Sequence, residues 1–195
     1  MSLKESDWKA VLDQPKNAGL KAGGGTGMSK VLRDHAAAET TWEQQKSIGT
    51  AAALERSLKA VGTQCDAVIT KHGKVFTTAC DYLKTVKQAA AARLKEVATE
   101  AAEVREQQYQ RQRLEHLKET AKELCEDAKT RIRNAHNAGQ VAAALEHSIP
   151  RLEHIATDLP NLRTPINGLK NFKPAMGSPS AKQYGDLLDA IVRAR

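Results

Sequence analysis

From Val75 to Asn134 the chain runs sixty residues without a glycine or a proline. The stretch is dense in Ala, Leu, Glu, Lys, Gln and Arg, the residues that lose least on entering a helix. One uninterrupted helix over that span would be roughly 90 Å long at ~1.5 Å per residue. No single compact core covers such a rod, so other segments, or a second copy of the chain, must lie along it. The expected fold class is therefore all-α: a long antiparallel helical hairpin or three-helix coiled coil with a very long central helix.

Composition narrows what can cover that helix. The chain is 41% hydrophobic, but alanine accounts for much of this and the aromatics number seven. Alanine buries little area, whereas a large side chain contributes about 1.5–3 kcal/mol when fully buried. A narrow Ala/Leu/Val seam between helices is expected rather than a thick globular core. Net charge is +7, which favours anionic partners such as nucleic acid or a membrane surface. Cys65, Cys80 and Cys125 are odd in number and lack metal-ligand spacing, so they read as free thiols in a reducing, cytoplasmic setting. No apolar run approaches the ~18 residues of a membrane span, and the N-terminus lacks a signal-peptide stretch.

Along the chain, residues 1–28 read as a short helix from Ser6 to Leu12, capped by Ser6 and ended by Pro15, then a Gly-rich linker. The run Gly23-Gly24-Gly25-Thr26-Gly27-Met28-Ser29-Lys30 fails as a phosphate-binding loop. Its lysine follows the serine, and no strand precedes it. Ser29 reads instead as the cap of the next helix.

Residues 29–159 read as a long-helix domain. Leu54, Leu58, Val61, Cys65, Val68, His72, Val75, Ala79, Tyr82 and Val86 follow a 4-3 alternation, the coiled-coil period. Leu54, Leu58, Val61, Val68, Val75, Tyr82 and Val86 are the candidate seam for self-association, most simply as a dimer. The first long helix, starting at Ser29, turns at Gly62, turns at Gly73 or continues unbroken; the tiling of helix lengths favours Gly73. Arg105 to Arg113 is a polar waist. Asn137 with Gln140 reads as a capping box, the stripe survives Pro150 as a kink, and Pro160 ends the helix. Residues 160–195 read as an extended, basic, Pro-containing tail followed by a short helix from Ser180 to Arg193.

Chemistry is sparse. HExxH, Gly-x-Ser-x-Gly and Glu-x-x-His are missing. His35 with Glu39 is one isolated pair four residues apart, and the recurring Leu-Glu-His triplets read as a seam residue followed by two flank positions. Helical carboxylates are mixed with Lys and Arg, as solvated pairs are. No catalytic residue, cofactor, metal or small-molecule substrate is expected. The expected function is a non-enzymatic helical scaffold or protein-interaction module, its protein partner unspecified. The alternative is polyanion binding, to nucleic acid or an anionic membrane surface, through Arg111, Arg113, Lys118, Arg163, Lys170, Lys173 and Lys182.

Overall fold

The structure, a computed structural model, describes residues 3–21, 25–173 and 180–195. It is all-α, with no strand among the described residues. In order come α1 (Glu5–Leu12), a 3-10 turn, α2 (Ala18–Leu20), α3 (Thr26–Gln44), α4 (Ile48–His72) and α5 (Thr77–Arg133). They are followed by α6 (Ala138–Asp158), a second 3-10 turn, α7 (Arg163–Asn171) and α8 (Ser180–Ala194). The long Gly- and Pro-free stretch is thus one helix, α5. Contacts divide the chain into two compact units, Met1–Gln107 and Gln108–Arg195, and α5 contributes to both.

In the first unit α3, α4 and the early part of α5 share a core with α1. Trp8 and Leu20 are fully buried. The Trp8 indole donates from Nε1 to the Gly25 carbonyl at 2.9 Å and stacks on Tyr82, centroids 6.1 Å apart. A side chain at Gly25 would meet Leu12 at 2.9 Å, so the absence of a Cβ lets the start of α3 close on α1. The N-terminal segment is therefore packed into the core. Its helix starts at Glu5, with Lys4 as N-cap, so Ser6 lies inside the first turn and is not the cap. Gly27 and Ser29 lie inside α3 rather than before it, and Ser29 Oγ donates to the Gly25 carbonyl at 3.3 Å. Gly23, Gly24, Pro174 and Pro179, part of the expected linker and tail, lie outside the described residues.

The expected single helix from Ser29 to His72 is two helices. The break at 45–47 has no glycine or proline. It is made by Ser47, whose Oγ accepts from Thr50 N at 3.2 Å while Thr50 Oγ1 accepts from Ser47 N at 3.0 Å. This reciprocal cap satisfies orphan donors at the start of α4. Gly62 sits inside α4, and the turn comes at Gly73. There a Cβ would lie 2.6 Å from the Ile69 carbonyl oxygen, so the corner closes because the position has no side chain.

Leu54, Leu58, Val61, Val68 and Val86 are all buried within this unit, and Tyr82 is half-buried. Val75 departs from the expected seam. It lies in the turn before α5 and is 73% exposed, because the helical period lapses between His72 and Thr77. Apart from Val75 and Tyr82, the expected seam is buried by the chain's own helices.

The second unit packs the later part of α5 with α6, α7 and α8. Cys125, Ile132, Leu152, Leu162, Ile166, Leu169, Leu188 and Ile191 belong to its core. Asn137 Oδ1 accepts from Gln140 N at 2.9 Å and caps α6, while Gln140 Oε1 reaches the His136 amide at 2.7 Å. The side-chain acceptor thus serves the amide one residue before the cap. Pro150 lies inside α6, and the helix ends at Asp158 before Pro160. Residues 163–171 are not extended. They form α7, because Leu162, Ile166 and Leu169 recur at helical spacing and bury one face. Along α5, residues 105–116 are exposed, Tyr109 by 60%.

Candidate functional site

A polar cluster lies in the first unit. His35 on α3 is 4% exposed, and its Nδ1 lies 3.3 Å from Ser57 Oγ. The Ser57 hydroxyl also reaches the Leu54 carbonyl at 2.8 Å, and when its proton is held there Nδ1–H is the donor to Ser57. Nε2 is then a lone pair, 3.9 Å from Glu39 Oε2, too far for a hydrogen bond. Burial lowers the His35 pKa, and Arg93 adds to this against the opposing pull of Glu39.

Ser57, His35 and Glu39 have the residue types of a nucleophile, base and acid, but not the arrangement. Ser57 makes its shorter contact with the Leu54 carbonyl rather than with the imidazole. It also sits inside α4, where backbone N–H groups are engaged in the helix and cannot form an oxyanion hole. The adjacent cleft of about 320 Å³ is lined by His35, Glu39 and Arg93 but not by Ser57.

The charges beside it are tied to one another. Arg93 donates to Glu39 at 2.6 Å, to Glu100 at 2.7 Å and to Glu96 at 3.1 Å. Glu100 also accepts from Lys46 at 2.8 Å and from the Trp42 indole at 3.1 Å. Lys46 first, then Arg93, hold the Glu100 carboxyl at about 2, well below the usual range. The cluster clasps α3 to α5.

The second unit carries a different feature. One face of α6, from Ala138 through Val141, Ala142, Leu145 and Ile149 to Glu153, borders an open trough of about 560 Å³. Leu169, Phe172 and Tyr184 contribute from the other elements, with Phe172 set edge-on to Tyr184 at 5.0 Å. Val141, Leu145 and Ile149 are half-buried and Ala142 is exposed. The 4-3 stripe read from sequence merged two faces. Ser148, Leu152 and Ile155 face the core, whereas Val141 and Leu145 flank the trough. The signal that separates them is the extra width of the apolar arc, where Ala142 and Ile149 fall beside the stripe.

Elsewhere in this unit Lys129 is 8% exposed and bonds Glu126 at 2.8 Å and Asp189 on α8. Desolvation opposes its charge, but the two carboxylates outweigh it and raise its pKa. The seven candidate polyanion contacts are not brought together as one free basic face. Arg113 pairs with Asp158, Lys118 with Glu115 and Lys170 with Glu153, each at 2.8 Å. Arg163 donates to the Ala156 carbonyl. Arg111, Lys173 and Lys182 are exposed, and Lys182 borders a separate cleft with Lys129, Arg133 and two aspartates.

All three cysteines are buried and free. Burial pushes the Cys65 thiol up to about 11 and the Cys125 thiol up to about 12, the opposite of an activated nucleophile. Among the described residues, no three His, Cys, Asp or Glu side chains come together as a metal-holding group. No described helix is long and apolar enough to cross a membrane. The chain matches no protein-family model, no curated protein and no solved structure.

Proposed function

We propose that this chain is a non-enzymatic helical scaffold that receives a partner protein in the α6 trough. The observation that carries the reading is an apolar helix face, Val141, Leu145 and Ile149, left half-covered along an open trough. Exposed apolar surface bordered by polar residues is characteristic of interaction sites. The polar clusters support the same reading, because their acids and bases neutralise one another and hold helices together. Polyanion binding draws less support, since three of its expected contacts donate to carboxylates.

The test is a photo-crosslinker, p-benzoylphenylalanine, placed in the native host at Ala138, which is exposed at the end of the trough. A discrete, light-dependent protein adduct is expected there and not from the same probe at Ala60, which is exposed on α4. Equal labelling at both positions, or none at Ala138, refutes the proposal.

A further inference from the structure

We infer that the occupant of the trough is a basic amphipathic helix of a partner protein, about four turns long. It lays its apolar face on Ala142, Leu145 and Ile149 and brings lysine or arginine to Glu146. The inference rests on the interaction-module reading above and specifies its partner.

Shape supplies the first argument. The bordering face of α6 extends from Ala138 to Glu153, about 22 Å along the axis at ~1.5 Å per residue. That is the length of an amphipathic segment of about four turns, whose anchors recur at i, i+4, i+7 and i+11. Ala138 and Ala142 keep one part of the face low, so that a second helix axis can approach to about 8–10 Å. Leu145 and Ile149 stand as ridges beside them.

Charge decides the chemistry. Glu153 is neutralised by Lys170 at 2.8 Å. Glu146 also borders the trough, and no cation pairs with it among the described residues. One part of the trough therefore presents a carboxylate without a cation partner. A carboxylate only accepts, and an occupant that covers it must bring the donors, as ammonium and guanidinium groups do.

A second copy of this chain is a poor fit. Setting trough on trough about a two-fold axis brings the middle of one α6 against the middle of the other. Glu146 would then face Glu146, and like charges so placed disfavour the pairing.

The experiment uses the full chain and three fluorescein-labelled sixteen-residue peptides, read by anisotropy. One is a Leu/Lys helix with leucines at i, i+3, i+4 and i+7, one is its Leu/Glu counterpart, and one is the Leu/Lys composition in scrambled order. The Leu/Lys helix should bind roughly tenfold tighter than either control, although the chain as a whole is cationic and repels it. Glu146→Lys should reverse the Lys-over-Glu preference. Ala142→Trp should fill the trough and abolish binding, with circular dichroism and melting unchanged because Ala142 is exposed.

Equal binding of Lys and Glu helices, or indifference to Glu146→Lys, overturns this inference while leaving the interaction module standing. Binding untouched by Ala142→Trp places the contact elsewhere and also overturns it. A concentration-dependent dimer that Ala142→Trp dissolves assigns the trough to a second copy. Absence of peptide binding together with absence of crosslinking at Ala138 overturns both proposals.

Discussion

Tyr82 is a residue whose hydroxyl works against its ring. The ring stacks on Trp8, while the hydroxyl is buried without a hydrogen-bond partner among the described residues. A buried, unsatisfied hydroxyl costs about 1–3 kcal/mol. Tyr82→Phe should therefore stabilise the chain by about 1 kcal/mol, seen as a higher urea midpoint; a lower midpoint would reveal a partner for the hydroxyl. His35 supplies a pH dependence. Its folded-state pKa lies below the ordinary 6.5, chiefly through burial, so the unfolded chain binds the proton first. Stability is full above about pH 6.5 and falls as the pH drops toward the lowered value. Glu100, held at about 2 rather than 4.5, has the same sign in a lower window. Urea midpoints should decline between pH 7.5 and 5.5, and His35→Gln should flatten that decline; an equal decline in the variant would remove His35 as the cause. The sequence showed His35 and Glu39 as a pair, but not Ser57 or Arg93. Those come from other helices, and spacing along one helix carries no information about its neighbours.

At the scale of the element, local signals were legible where one residue type has one physical role. The long α5 followed from the absence of glycine and proline, and Asn137 with Gln140 marked the start of α6 through their hydrogen bonds. The break between α3 and α4 was missed because Ser47 and Thr50 cap each other without any helix breaker. Ser47→Ala should cost about 0.5–2 kcal/mol, measured by chemical unfolding; no loss would mean the break is enforced by packing alone. Periodicity was less reliable across a turn. Val75 kept the phase of the seam but lies in the corner, whereas Val61 is fully buried. Val75→Asp should leave stability within about 0.5 kcal/mol. Val61→Asp should strip helicity from the first unit, since a buried unpaired carboxylate is strongly disfavoured. Equal effects of the two would contradict the burial pattern. The α7 helix was obscured by the prolines and cations around it, although Leu162, Ile166 and Leu169 already carried its spacing.

Across the whole molecule, two cores rather than one continuous seam bury the large apolar side chains. Leu58 belongs to the first core and Leu152 to the second. Leu58→Ala and Leu152→Ala should each cost about 2–5 kcal/mol, and the double variant should show the sum because the sites share no partner. Hydrogen exchange should place each loss in its own unit; protection lost across both units from either substitution would show a single cooperative structure. The candidate trough was the least legible feature. Whether an apolar residue meets the core or stays half-covered depends on how many helices surround it, and a stripe reports only that a face is apolar.

Alanine has an unusual standing in this chain. Ala51, Ala79, Ala90, Ala101, Ala121, Ala128, Ala144 and Ala156 are buried where helices approach one another. An alanine scan leaves these positions untouched and would rank them as silent. A scan to valine or leucine would invert that map, because a larger side chain must force the helices apart. Genetic variation should follow the second map: the commonest residue of the chain, ordinarily the most exchangeable, should be among its least tolerant wherever helices meet.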